Sequence, residues 1–160
     1  MLTYDNVIRT HSPEETLALG VECAKLFSRG DCIALSGNLG SGKTEFVRGV
    51  CRYFRCEGQV SSPTFTIINE YAGDERVVHC DVYRLHDARE IFHSGIGDVF
   101  LPDNFILIEW AEKALDLLPV PRWEILFAHG EHDLERIVRI HYCNASHESI
   151  LLLQTSNVFS

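Results

Sequence analysis

The sequence predicts an α/β protein with helices layered on both sides of a mixed, mainly parallel central sheet, and with a strand-rich C-terminal part. Three observations predict it. Short apolar runs, "CIALS" at 32–36 and "FILIE" at 105–109, read as strands buried on both faces. The stretch "GNLGSGKTEF", Gly37 to Phe46, joins the first of these runs to a helical pattern through a glycine-rich turn. The last third, from Trp123, reads as strands around a turn.

The elements follow in chain order. Residues 11–30 form a helical pattern: Ser12 suits the N-cap, Pro13 the first turn, and Glu15 stands three after Ser12 as in a capping box. Leu17, Val21, Ala24, Leu26 and Phe27 supply its apolar stripe, and Gly30 suits its end. A short buried strand is expected over 31–36 and a helix over 43–55. Residues 61–73 and 75–85 read as two strands with a turn at Gly73-Asp74. A short helix is expected over 87–95, a buried strand over 105–110 after Pro102, and a helix over 111–119 ended by Pro119. Two strands with a turn fill 123–143, and 149–156 reads as a third strand or a terminal helix. With no repeat, linker or composition break, residues 1–160 read as a single domain.

Composition narrows the class. Hydrophobic residues make up 46% and charged ones 23%, which suits a soluble globular chain. No apolar run approaches the roughly 20 residues that cross a bilayer, and "MLTYDNVIRTHSPEET" holds neither an apolar nor a basic leader, so a cytoplasmic protein without a membrane partner is expected. The formal net charge of −9 repels phosphate backbones and argues against nucleic-acid binding over the whole surface. None of the six cysteines forms a CxxC pair, so they read as buried thiols. The most metal-like group, His141, Cys143 and His147, lacks a fourth ligand, and no zinc is expected.

Gly37-x4-Gly42-Lys43-Thr44 fits the phosphate-loop pattern G-x-x-x-x-G-K-[ST], with a strand before it and a helix after it. In such a loop, glycines let backbone N–H groups turn toward phosphate oxygens in front of a helix N-terminus. Lys43 is positioned to reach the β- and γ-phosphates, and the Thr44 hydroxyl to hold Mg²⁺. The nucleotide-binding residues expected are Asn38, Leu39, Gly40, Ser41, Gly42, Lys43, Thr44 and Glu45. Hydrolysis also needs a carboxylate at a buried strand end, and two candidates follow apolar runs: Asp81 after "VVHC" and Glu109 after "FILI". Trp110 reads either as a neighbour of the nucleotide or as core packing. There is no NKxD-type guanine-reading motif, which disfavours a GTPase.

"GNLGSGKT", "SPTFTIINEY", "HCDVYRL" and "LIEW" stand in the order and spacing of the TsaE family, which the chain resembles from the first helix to about Pro119. The loop is common to many families; the combination of "SPTFT", "DVYRL" and "IEW" is far more specific. The resemblance implies a P-loop NTPase-like three-layer fold. It also implies a Mg²⁺-dependent ATPase that binds ATP and ADP in bacterial tRNA threonylcarbamoyladenosine biosynthesis. Such a protein acts with the TsaB–TsaD pair and meets tRNA only through that complex. Residue by residue, Lys43 and Thr44 keep the phosphate and metal roles, and Glu109 resembles the carboxylate of the Mg²⁺ site. Thr64, in a switch-like segment with Ser62, Pro63 and Thr66, is the expected sensor of γ-phosphate or metal. Asp81 resembles a functional aspartate that positions water or contacts a partner. Trp110 matches the family's tryptophan. Asn38 stands where the family usually has Asp, and Glu45 where it often has a small residue.

Two rival readings stay open: a small-molecule kinase and a nucleotide-binding module without turnover. After "LIEW" only Arg122, Arg136 and Arg139 are available for a kinase lid, and the latter two lie in strand-like sequence. Without an evident arginine finger, slow turnover alone and stimulation by partners are expected. Arg48, Arg52 and Arg55 fall at i, i+4 and i+7 of the helix after the loop, a basic stripe suited to docking an acidic surface or phosphates.

Overall fold

Ser12 starts the first helix as expected. In the computed structural model, which describes residues 4–56, 58, 60, 61 and 68–151, its Oγ accepts from the Glu15 backbone N–H at 3.1 Å. Glu15 reaches back to the N–H of His11 at 2.7 Å, one residue before the N-cap. Helix α1 spans Pro13–Ala24 and stops short of Gly30, because bonds such as Leu26 N–H to Cys23 O at 2.9 Å tighten the chain into i→i+3 turns. Gly30 instead turns the chain into β2, Cys32–Gly37. Helix α2 covers Lys43–Tyr53. A hairpin of Ile68–Ala72 (β3) and Arg76–Asp81 (β4) turns at Gly73-Asp74 as expected. The short helix α3, Ala88–His93, is capped by Asp87, whose carboxylate accepts from Glu90 N–H at 2.8 Å. Strands β5 (Asn104–Glu109), β6 (Arg122–His129) and β7 (Arg136–Cys143) follow.

An N-terminal strand, β1 at Asp5–Thr10, was not predicted. It is a largely exposed edge strand, so its side chains lack the alternation that marks a half-buried one. Its place comes from pairing with β7.

The seven strands of the described residues are ordered β1-β7-β6-β2-β5-β4-β3. Neighbours β6, β2, β5 and β4 run parallel, while β1–β7, β6–β7 and β3–β4 pair antiparallel. The sheet is therefore mixed, with a parallel centre and antiparallel flanks. Alternation divides the core between its faces. Ile33, Leu35, Val77, Leu107 and Ile125 pack with Phe46, Val47 and Val50 of α2. Ala34, Val78, Cys80, Ile106 and Ile108 pack with Ile91 of α3 and with Ala111 and Leu118.

The helix expected over 111–119 is replaced by two single 3₁₀ turns, Ala111–Lys113 and Leu115–Leu117. Trp110 enters with φ 60°, and Leu118 leaves extended at ψ 136°, as the residue before a proline prefers. Between the two turns Ala114 leaves the helical region, at φ −125° and ψ 16°, and interrupts the run. A 3₁₀ turn at Ser146–Glu148 precedes the segment expected as a last strand or helix, and residues 152–156 of that segment lie outside the described residues. Glu124 ties this end of the chain to the sheet. Its buried carboxylate accepts from Arg122 Nε at 2.8 Å, Ser149 Oγ at 2.7 Å and the Ile150 N–H at 2.8 Å.

Candidate nucleotide site

Parallel pairing brings three strand ends together. Leu35, near the end of β2, lies opposite Glu109, the last residue of β5, and Glu109 lies opposite Asp81, the last residue of β4. The glycine-rich loop leaves the end of β2 at this edge, where open α/β sheets bind ligands. Gly37 needs its missing side chain: a Cβ there would meet Phe127 O at 2.5 Å and Ser41 Oγ at 2.7 Å, at φ +149°. Gly42 forms the N-cap of α2 in the left-handed region, with no side-chain cap.

Lys43 is buried against its own loop. Its Nζ donates to the carbonyls of Gly37 and, at 3.2 Å, Asn38, and it lies 4.3 Å from the centre of the Trp110 ring. Burial lowers its pKa, opposed by the negative charges of Glu109, Glu112 and Asp81. Beside it, Thr44 Oγ1 donates to Glu109 Oε1 at 3.2 Å, and His79 Nε2 lies 3.5 Å from the same oxygen. Burial pushes the Glu109 carboxyl up, but the His79 and Thr44 contacts and the Lys43 charge outweigh it and hold the pKa below the usual value. Glu109 is thus an ionised carboxylate near neutrality. Asp81 accepts the Tyr83 backbone N–H at 2.8 Å, an Asx turn that ends β4 and aims the chain back over the cleft.

These groups face a cleft of about 490 Å³ lined by the loop from Leu39 to Glu45 together with Asp81, Tyr83, Arg84, Glu109 and Trp110. Of the sequence-predicted residues, Leu39, Gly40, Ser41, Gly42, Lys43, Thr44, Glu45, Asp81, Glu109 and Trp110 therefore meet in one place. Asn38 is not among the lining residues; it contributes its carbonyl to Lys43 and to the Ser41 N–H, the latter at 3.1 Å. Thr64, with Ser62, Pro63 and Thr66, lies outside the described residues. Of the basic stripe, Arg48 pairs with Glu45, and Arg55, beyond the end of α2 at φ 53°, pairs bidentately with Asp74 at 2.7 and 2.9 Å.

Sequence reasoning missed several neighbours. His79 interrupts the apolar run "VVHC", and that lone polar residue was the available signal. Ser36 Oγ donates to Glu112 Oε2 at 2.6 Å. Lys113 donates to Tyr83 O at 2.6 Å and covers the Tyr83 ring, which packs on Trp110 with centroids 4.7 Å apart. Arg136 donates to Gly40 O at 3.0 Å from the far end of the chain, a contact no local pattern announces.

The donor set fits a phosphate and a hard cation. Ser41 Oγ is buried and has no hydrogen-bond partner among the described residues. The first N–H groups of α2 stand without a side-chain cap. The Thr44 hydroxyl and Glu109 carboxylate supply oxygen ligands of the kind Mg²⁺ takes.

Sheet order and loop together define a P-loop NTPase-like fold. The family model described as "Threonylcarbamoyl adenosine biosynthesis protein TsaE" matches residues 10–138. The protein TsaE of Bacillus subtilis (strain 168) is 38% identical over 130 residues, 81% of each chain. That of Rickettsia conorii is 35% identical over 154 residues, 93% of this chain and 87% of its own. The crystal structure of Bacillus subtilis YdiB superposes with a TM-score of 0.71 at 30% identity, covering 98% of this chain and 97% of that one. The chain belongs to the TsaE family of tRNA threonylcarbamoyladenosine biosynthesis proteins.

Proposed function

We propose that this protein is the ATPase of tRNA threonylcarbamoyladenosine biosynthesis, binding ATP with Mg²⁺ and acting with the TsaB–TsaD pair. The observation that carries the reading is the meeting of Thr44 Oγ1 and Glu109 Oε1 at 3.2 Å beside buried Lys43. In this reading Lys43 exchanges its loop carbonyls for the β- and γ-phosphate oxygens. Ser41 and the uncapped N–H groups of α2 hold the remaining phosphate oxygens. Thr44 and Glu109 hold the metal, directly or through water. When bound, Mg²⁺ neutralises charge across the β- and γ-phosphates. Asp81, one strand over from Glu109, orients the attacking water or meets a partner, and Thr64 senses the γ-phosphate or the metal. The Trp110 ring packs over the Lys43 ammonium.

Slow turnover by the chain alone is the expectation for a phosphate loop without an evident arginine finger. The acidic protein leaves tRNA contact to its partners. Phosphate release from ATP in the presence of TsaB–TsaD, with and without EDTA, tests the site. Chelation, Glu109→Ala and Asp81→Ala are each expected to lower the rate at least about 100-fold, the scale on which a single positioned catalytic group acts. Near-normal turnover in either variant would remove that residue from the reacting set.

A further inference from the structure

Arg136 opens β7 and faces Thr10 of β1 and His129 of β6, far in sequence from the phosphate loop. Its guanidinium is divided between two parts of the fold. Nη1 donates to the backbone carbonyls of Asp133 at 2.7 Å and Glu135 at 2.8 Å, which anchors it to the β6–β7 turn. Nη2 donates to the carbonyl of Gly40 at 3.0 Å, at the tip of the loop. The peptide joining Gly40 to Ser41 is therefore held at both ends, since the Ser41 N–H donates to Asn38 O at 3.1 Å. A trans peptide gripped by both its C=O and its N–H cannot rotate without breaking one of them. Gly40 otherwise has great freedom, with φ +74° and nothing within 4 Å of the position a Cβ would take. The tip carries Leu39, which is 84% exposed, so no packing on that side chain substitutes for the grip.

We propose that Arg136 is a positioning residue of the nucleotide site: it fixes the Gly40–Ser41 peptide so that the loop holds its phosphate-binding shape before nucleotide arrives. The guanidinium fork suits this role because one cation must serve carbonyls on two separate segments. The proposal rests on the nucleotide-binding reading above. It predicts that loss of Arg136 acts on nucleotide affinity through loop entropy, while groups that touch the reacting phosphate keep their places.

Isothermal titration of the full chain with Mg·ADP tests it, alongside melting of the unliganded proteins. Arg136→Gln is expected to weaken ADP binding about tenfold, the scale of a lost charge-assisted hydrogen bond. The KM for ATP should rise by a similar factor while kcat holds. Arg136→Lys, whose single ammonium ends the side chain earlier, is expected to fall between the two. Arg139→Gln removes the same charge from the same strand, where it pairs with Asp5, and should leave affinity unchanged. Wild-type affinity in Arg136→Gln, or an equal loss in Arg139→Gln, would overturn the proposal alone. A wild-type chain that binds no ADP would overturn both it and the nucleotide-binding reading. If Arg136→Gln does not fold, Arg136→Lys decides, and wild-type affinity in that variant overturns the proposal.

Discussion

Glu109 closes β5 with Thr44, His79 and Lys43 among the neighbours of its carboxylate. Its pKa lies below the ordinary value, and the sign of the consequence is fixed by that direction. A carboxylate with a depressed folded-state pKa adds stability that is complete above its unfolded pKa and is lost as pH falls through the folded value. Urea unfolding measured from about pH 6 down to about pH 3 should show wild type losing more stability than Glu109→Gln, because only wild type has this proton to take up. Parallel curves would contradict the assignment. Trp110, the next residue, sits in the left-handed region at φ 60° and ψ 36°, a conformation costing on the order of 1–3 kcal/mol for such a side chain. The strain places its ring between Lys43 and Tyr83. The sequence made Lys43, Thr44, Asp81, Glu109 and Trp110 legible because each is tied to a strand end or a loop of fixed local shape. His79 and Arg136 were not legible as neighbours of the site, since only strand register and the β6–β7 turn bring them there.

At the scale of elements, α1 and α2 touch through glycines. A Cβ on Gly20 would meet Phe46 O at 2.2 Å, and one on Gly49 would meet Leu17 O at 2.0 Å, so the two backbones pass with no side chain between them. Gly49→Ala should therefore destabilise the fold by about 1–3 kcal/mol in chemical denaturation, the cost of overpacking outweighing the gain in helix propensity. A stabilised Gly49→Ala protein would mean that the helices do not approach this closely. Because α2 carries Lys43 and Thr44 at its N-terminus, the same variant should also weaken nucleotide binding. Elements with strong local signals were legible: the capped helix α1, the apolar strands β2 and β5, and the Gly73-Asp74 hairpin. Edge strand β1 was not, for its pairing with β7 joins opposite ends of the described chain. The 111–119 segment had a helical composition, but Ala114 leaves the helical region and divides it into two 3₁₀ turns.

Across the whole molecule, the parallel centre of the sheet delivers the loop and two carboxylates to one edge, and the antiparallel flanks supply supports such as Arg136. The net charge of −9 repels an anionic RNA backbone at long range. The site as a whole is a phosphate loop whose lysine also bonds the loop's own Gly37 and Asn38 carbonyls. The family was legible from four short motifs, and three of them, "GNLGSGKT", "HCDVYRL" and "LIEW", lie where β2, β4 and β5 end. The measurement that bears most directly on this account is phosphate release from ATP by the pure chain, alone and then with TsaB–TsaD added. The account predicts slow release alone and a rise with the pair, on the scale of about 10³-fold or more that a completed phosphoryl-transfer site gives. The same slow rate with and without the partners would contradict it.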